Sequence, residues 1–163
     1  MGTMTWRAIA PEETLRILTV IDALPWPLSK ADAKQHLVGR LGWTLNDEGF
    51  MRNHAAGLNW PNVSVNASPS GTSDVGFNIS DLEREHHDSP EWLAWRDDHF
   101  TLTVRHLAQA WGPYRMMDED SDYPQARWDL PSGGRVNIVK YRKSLKAGYV
   151  TPHMAAIERR RGY

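Results

Sequence analysis

The apolar positions of this chain follow two periods. Ile17, Val20, Ile21 and Leu24 recur at i, i+3, i+4 and i+7, which predicts a helix with one buried stripe. Pro11 suits the first helical position, Glu12 and Glu13 suit the positive end of the helix dipole, and Pro25-Trp26-Pro27 stops the run. Ser29 can cap a second helix, with Asp32 in its first turn. Leu37, Val38 and Leu41 are its apolar residues, and Gly42 suits the position just past its end.

The period then changes to two. Val63, Val65 and Ala67 alternate with Ser64 and Asn66, and Val75, Phe77 and Ile79 alternate with Gly76 and Asn78. With the turn-forming link Ser68 to Ser73 between them, these segments predict a hairpin with one buried face. Trp43-Thr44-Leu45 and Phe50-Met51 supply an earlier strand. Ser89-Pro90-Glu91 opens the longest helix, which runs to about Trp111 and is ended by Gly112-Pro113. Leu93, Phe100, Val104, Leu107 and Trp111 fall on one side of it. Asp118 to Asp122 is an exposed acidic connection. Ala126, Trp128 and Leu130, the turn Pro131 to Gly134, then Val136 and Ile138 restore the alternation. Leu145, Ala147 and Tyr149 add a third strand, and Pro152 to Arg161 reads as a short basic helix.

A helix followed by antiparallel strands thus occurs twice. His36-Leu37 precede Gly42-Trp43 and one strand group; His106-Leu107 precede Trp111-Gly112 and the other. The pattern predicts a single α+β domain, its helices packed on one side of antiparallel sheet. It also points to a duplicated helix plus β-meander unit at about residues 29–80 and about 89–151.

Composition narrows the function. A length of 163 residues suits one domain. With 40% hydrophobic residues, and 19 basic against 20 acidic side chains, wholesale disorder and a dedicated polyanion binder are both disfavoured, so nucleic acid is not the expected partner. The absence of cysteine excludes disulfide frameworks, thiolate metal sites and cysteine nucleophiles. Met1 to Arg7 lacks the apolar core of a signal peptide, and Ile17 to Leu24 is far shorter than the roughly 20 apolar residues of a membrane span. The expectation is a cytoplasmic protein with no membrane partner.

Candidate chemistry is sparse. The densest polar cluster, Asp81 to Asp88, contains His86 and His87, but adjacent imidazoles diverge on a regular backbone and lack the spacing of a helical zinc site. It reads as a solvated approach to the long helix, and no metal is expected. No nucleophile elbow and no glycine-rich phosphate cradle occurs, so no catalytic residue and no cofactor is assigned. The basic residues from Arg135 through Lys146 and at Arg159 to Arg161 read as solvated surface. More informative is a second stripe on the long helix: Trp95, His99, Leu102 and His106 at i, i+4, i+7 and i+11. It is either a second buried face or an aromatic strip offered to a partner. Together with Asp118, Asp120 and Asp122, which can steer a basic partner, it forms the candidate partner-binding surface.

The run from Trp128-Asp129-Leu130-Pro131 to Val136, after a helix ending in Trp111-Gly112-Pro113, resembles small tryptophan-rich actinobacterial proteins of uncharacterised function. The likeness covers mainly residues 89–150, with an echo in Leu41-Gly42-Trp43. Some of those proteins are thought to be immunity proteins of secreted polymorphic toxins. The resemblance therefore implies a non-catalytic protein that binds and neutralises a cognate toxin. The alternatives are a chaperone for a secreted effector and a small metal-dependent or hydrolytic enzyme.

Overall fold

A computed structural model describes residues 5–163; the reading of the chain start at Met1 to Met4 lies outside the described residues. The elements are α1 (Pro11–Asp22), α2 (Lys30–Leu41), β1 (Thr44–Leu45), β2 (Met51–Arg52), β3 (Asn62–Ser68), β4 (Gly71–Asn78), α3 (Pro90–Trp111), β5 (Arg115–Met117), β6 (Gln125–Asp129), β7 (Arg135–Lys140), β8 (Leu145–Val150) and α4 (Pro152–Arg160). The strands form one antiparallel sheet in the order β1-β2-β3-β4-β8-β7-β6-β5. Each half of that sheet is a helix followed by a four-strand meander, and the last strands of the two halves, β4 and β8, pair at the centre.

Local chemistry sets the boundaries. Ser29 Oγ accepts from Asp32 N at 3.1 Å, and Ser89 Oγ accepts from Trp92 N at 3.2 Å. Each such cap contributes about 1 kcal/mol. Gly42 ends α2 with φ 69°, a left-handed conformation that glycine adopts without strain. In α1 the buried side chains are Thr14, Ile17, Leu18 and Ile21, while Val20 is half-buried. The stripe is rotated from its predicted centre because α1 packs against α2, α3 and β8 together.

The hairpin link is tighter than predicted, since β3 reaches Ser68 and β4 begins at Gly71. A register shift between Asn66 and Ala67 breaks the alternation and leaves Ala67 exposed. The strands β1, β2 and β5 are two or three residues long, too short to carry an alternation of their own.

Alternation divides the sheet into two faces. Val65, Phe77, Ile138, Ala147 and Tyr149 belong to the core shared with α1, α2 and α3. The terminal helix α4 lies against the other face, where Arg135 points. Arg135 has no exposed side-chain surface: its Nε donates to Asp129 Oδ1 at 2.8 Å, and its Nη1 donates to the Tyr163 carbonyl at 2.9 Å and lies 3.8 Å from Glu158 Oε2. Arg159 adds a contact of 3.1 Å to the same Asp129 oxygen. The solvated reading of the basic residues is therefore corrected at Arg135, because a guanidinium with several acceptors in reach can be buried where a lone charge cannot.

Candidate functional site

The sequence-derived partner surface divides between two settings. On α3, Trp95 stacks on His99 with ring centroids 5.5 Å apart and planes 8° from parallel. Its ring also lies 5.7 Å from Trp6 and 5.5 Å from Trp92. His99 Nε2 sits 3.2 Å from the Ile9 carbonyl, so this stack clasps the segment before α1 to the long helix. Trp95, His99 and His106 are half-buried, and Leu102 is 54% exposed. The stripe is thus the margin of the core, with Leu102 as its outward position.

The acidic loop lies elsewhere. Asp118 adopts φ 54°, and its Oδ2 accepts from Gln125 Nε2 at 3.2 Å. Asp120 is exposed, and Asp122 lines a cleft with Arg96, Lys140 and Arg142. The Asp81 to Asp88 segment is also less solvated than its charge suggests. Asp81 is buried, with Oδ2 accepting from Arg7 N and Oδ1 from Asn59 N, each at 2.8 Å.

The open face of the sheet holds an arrangement that alternation alone does not reveal. The strand register aligns Ser64, Gly76, Gly148, Asn137 and Arg127 in one row across β3, β4, β8, β7 and β6. The central pair of that row has no side chains, so it forms the floor of a groove. The next row brings Asn78, Lys146, Val139, Gln125 and Met117 into line, and on the other side stand Asn66, Asp74, Val150, Arg135 and Asp129.

One wall of the groove is an aromatic and cationic ladder. Lys146 Nζ lies 4.5 Å from the Trp60 ring centroid and 5.4 Å from that of Tyr141, whose ring is 5.3 Å from Tyr123. Asn78 Nδ2 donates to the Trp60 carbonyl at 2.7 Å and fixes the first rung. Among the described residues, no carboxylate forms an ion pair with Lys146. Burial holds its ammonium pKa below the ordinary lysine value. The rings supply the compensating attraction of a cation over aromatic faces. On the far wall, Asp74 Oδ1 accepts from Asn66 Nδ2 at 2.8 Å.

This groove was missed in the sequence because its members come from different strands. One signal was present: Gly148 interrupts a strand that otherwise reads Leu145-Lys146-Ala147 and Tyr149-Val150. A glycine inside a strand often marks a close approach by another group.

Fold and groove define an α+β domain with three helices on one sheet face and a furrowed, partly open second face. The chain belongs to a family of unknown function (DUF6301), whose model matches residues 12–149 and so spans the sheet from β1 to Tyr149 in β8. No curated protein and no solved structure matches it. Among the described residues, no helix is long and apolar enough to cross a membrane.

Proposed function

We propose that this chain is a non-catalytic, cytoplasmic protein that works by binding another protein, and that it is an immunity protein holding a cognate toxin in an inactive complex. The observation that carries the binding reading is the furrow across the open sheet face. Its wall displays Trp60, Tyr141 and Tyr123, residue types enriched where binding energy concentrates, and Asp118 stands at its rim. The toxin reading adds the resemblance carried by residues 89–150. A chaperone for a secreted effector is the second reading, favoured by a furrow that suits an extended segment.

Affinity capture of the tagged chain from its host, followed by mass spectrometry, tests the binding reading. A stoichiometric partner is the expected product. That partner, expressed alone in a neutral host, should arrest growth, and co-expression of this chain should restore it. A folded, silenced partner supports the immunity reading, and an unfolded export substrate supports the chaperone reading. Recovery of the chain alone from cells in which it is abundant overturns both.

A further inference from the structure

We propose that the furrow seats an extended segment of the partner protein, laid across the strands, with one of its carboxylate side chains on Lys146 and one of its cationic side chains at Asp118. The inference rests on the protein-binding reading and specifies which part of the surface does the binding and what chemistry it selects.

The floor supplies the first reason. A Cβ built on Gly148 meets nothing nearer than the Asn137 carbonyl oxygen at 4.0 Å, and the backbone there is ordinary extended strand. The fold beneath therefore has room for a Cβ at this position, whereas glycine weakens a strand interior. At Gly134 the opposite holds: a Cβ would collide with the Tyr149 ring, so packing alone requires glycine. Gly76, the strand partner of Gly148, is intermediate, because its Cβ would come within 2.8 Å of the rotatable Ser64 hydroxyl. The absence of a side chain at Gly148 therefore serves the space above the sheet.

Charge supplies the second reason. Lys146 is a half-buried cation facing the furrow with aromatic rings on two sides and, among the described residues, no carboxylate paired to it. A carboxylate brought there completes its coordination in a setting of lowered dielectric, where such a pair is stronger than at an open surface. Asp118 lies beyond Gln125 at the β5 end of the same row. Three strand spacings separate β8 from β5, about 14 Å, which an extended chain covers in about four residues. A segment bearing an acid and a base four residues apart matches both ends.

The probe is a pair of blocked pentapeptides, Glu-Thr-Ser-Thr-Lys and its reverse, each with a twin in which glutamine replaces glutamate. Binding is followed by amide and indole shifts of the isotope-labelled full chain. The expected result is movement of the Gly76 and Gly148 amides and of the Trp60 indole N–H. At least a fivefold weakening is expected for the glutamine twin, with loss of binding in Lys146→Met and in Gly148→Val. The Gly148→Val chain should keep its melting temperature, which separates a blocked furrow from a failed fold. No movement, movement outside the furrow, equal response to both twins, or persistence in Gly148→Val overturns the inference. Capture with the Gly148→Val chain distinguishes it from the broader reading. An undiminished partner sinks the furrow and leaves protein binding standing. Peptide binding in the furrow with no captured partner does the reverse.

Discussion

The two faces of the sheet obey different rules. On the helix side, alternate strand positions such as Val75, Phe77, Val136, Ile138, Ala147 and Tyr149 are apolar and buried against α1, α2 and α3, and two of the polar groups there are tied down: the Tyr149 hydroxyl donates to Asp22 Oδ1 at 2.6 Å, and the Trp128 indole N–H donates to the Gly112 carbonyl at 3.0 Å. On the open side, an arginine is fully buried under α4 while a lysine a few residues along the sheet has no anionic partner among the described residues. Stability is concentrated on the first face. The second, at Gly148 and Lys146, presents an accessible and chemically uneven surface.

Substitutions on each side can break that contrast. Leu107→Ala, at a fully buried position of α3, should lower stability by about 4 kcal/mol through lost burial and a residual cavity, read by chemical denaturation. Arg135→Met should cost about 3 kcal/mol, because Asp129 and Glu158 lose their common partner. Hydrogen exchange should then rise first in α4, and equal exchange in α4 and α3 would show that α4 is not separately clasped.

Acid should loosen the same clasp. Burial pushes the Asp129 carboxyl up, but the hydrogen bond and charge of Arg135, with the charges of Arg115 and Arg159, outweigh it and leave the pKa below the ordinary value. The contribution is complete above the unfolded pKa of about 3.9 and fades as pH falls below that.

A smaller effect, about 2 kcal/mol, is expected for Tyr149→Phe, which removes a hydrogen bond to a carboxylate. Burial and the Asp22 carboxylate push the Tyr149 phenol far above its ordinary value. The wild-type chain should therefore lose stability as pH rises above about 10, where the unfolded phenol ionises and the folded one does not. Thermal melts of Tyr149→Phe should lack that part of the alkaline decline. Smallest of all is Gly148→Val, within about 0.5 kcal/mol of wild type, since a β-former replaces glycine where its Cβ meets nothing nearer than 4.0 Å. A large loss there would mean that the floor is structural after all.

Sequence legibility follows the same division. The caps at Ser29 and Ser89, the stop at Gly42 and the alternation in β3, β4, β7 and β8 are local signals, and they placed the long elements within a residue or two except at the start of β4, which lies three residues earlier than the turn-forming link suggests. Ala67 broke the rule because a register shift is set by the partner strand rather than by its own neighbours. The strand order, with β4 beside β8, follows from how the two meanders meet and leaves no periodic trace. The furrow is less legible still. Trp60 and Lys146 are 86 positions apart, and only register joins them. The stripe at Trp95 and His99 was visible by spacing, yet spacing could not say that Trp6 would arrive to cover it.

The pairing of Gly76 with Gly148 falls on the line where the two four-strand halves join. On the open face that seam carries three cross-strand pairs, Asp74 with Val150, Gly76 with Gly148 and Asn78 with Lys146, so its bare stretch is one pair long. The two halves therefore meet with least side-chain bulk at one point, as two pages meet in the gutter of an open book. Trp60 and Asp74 belong to one half and Asn137 and Tyr123 to the other, so a chain lying in that gutter touches both halves at once.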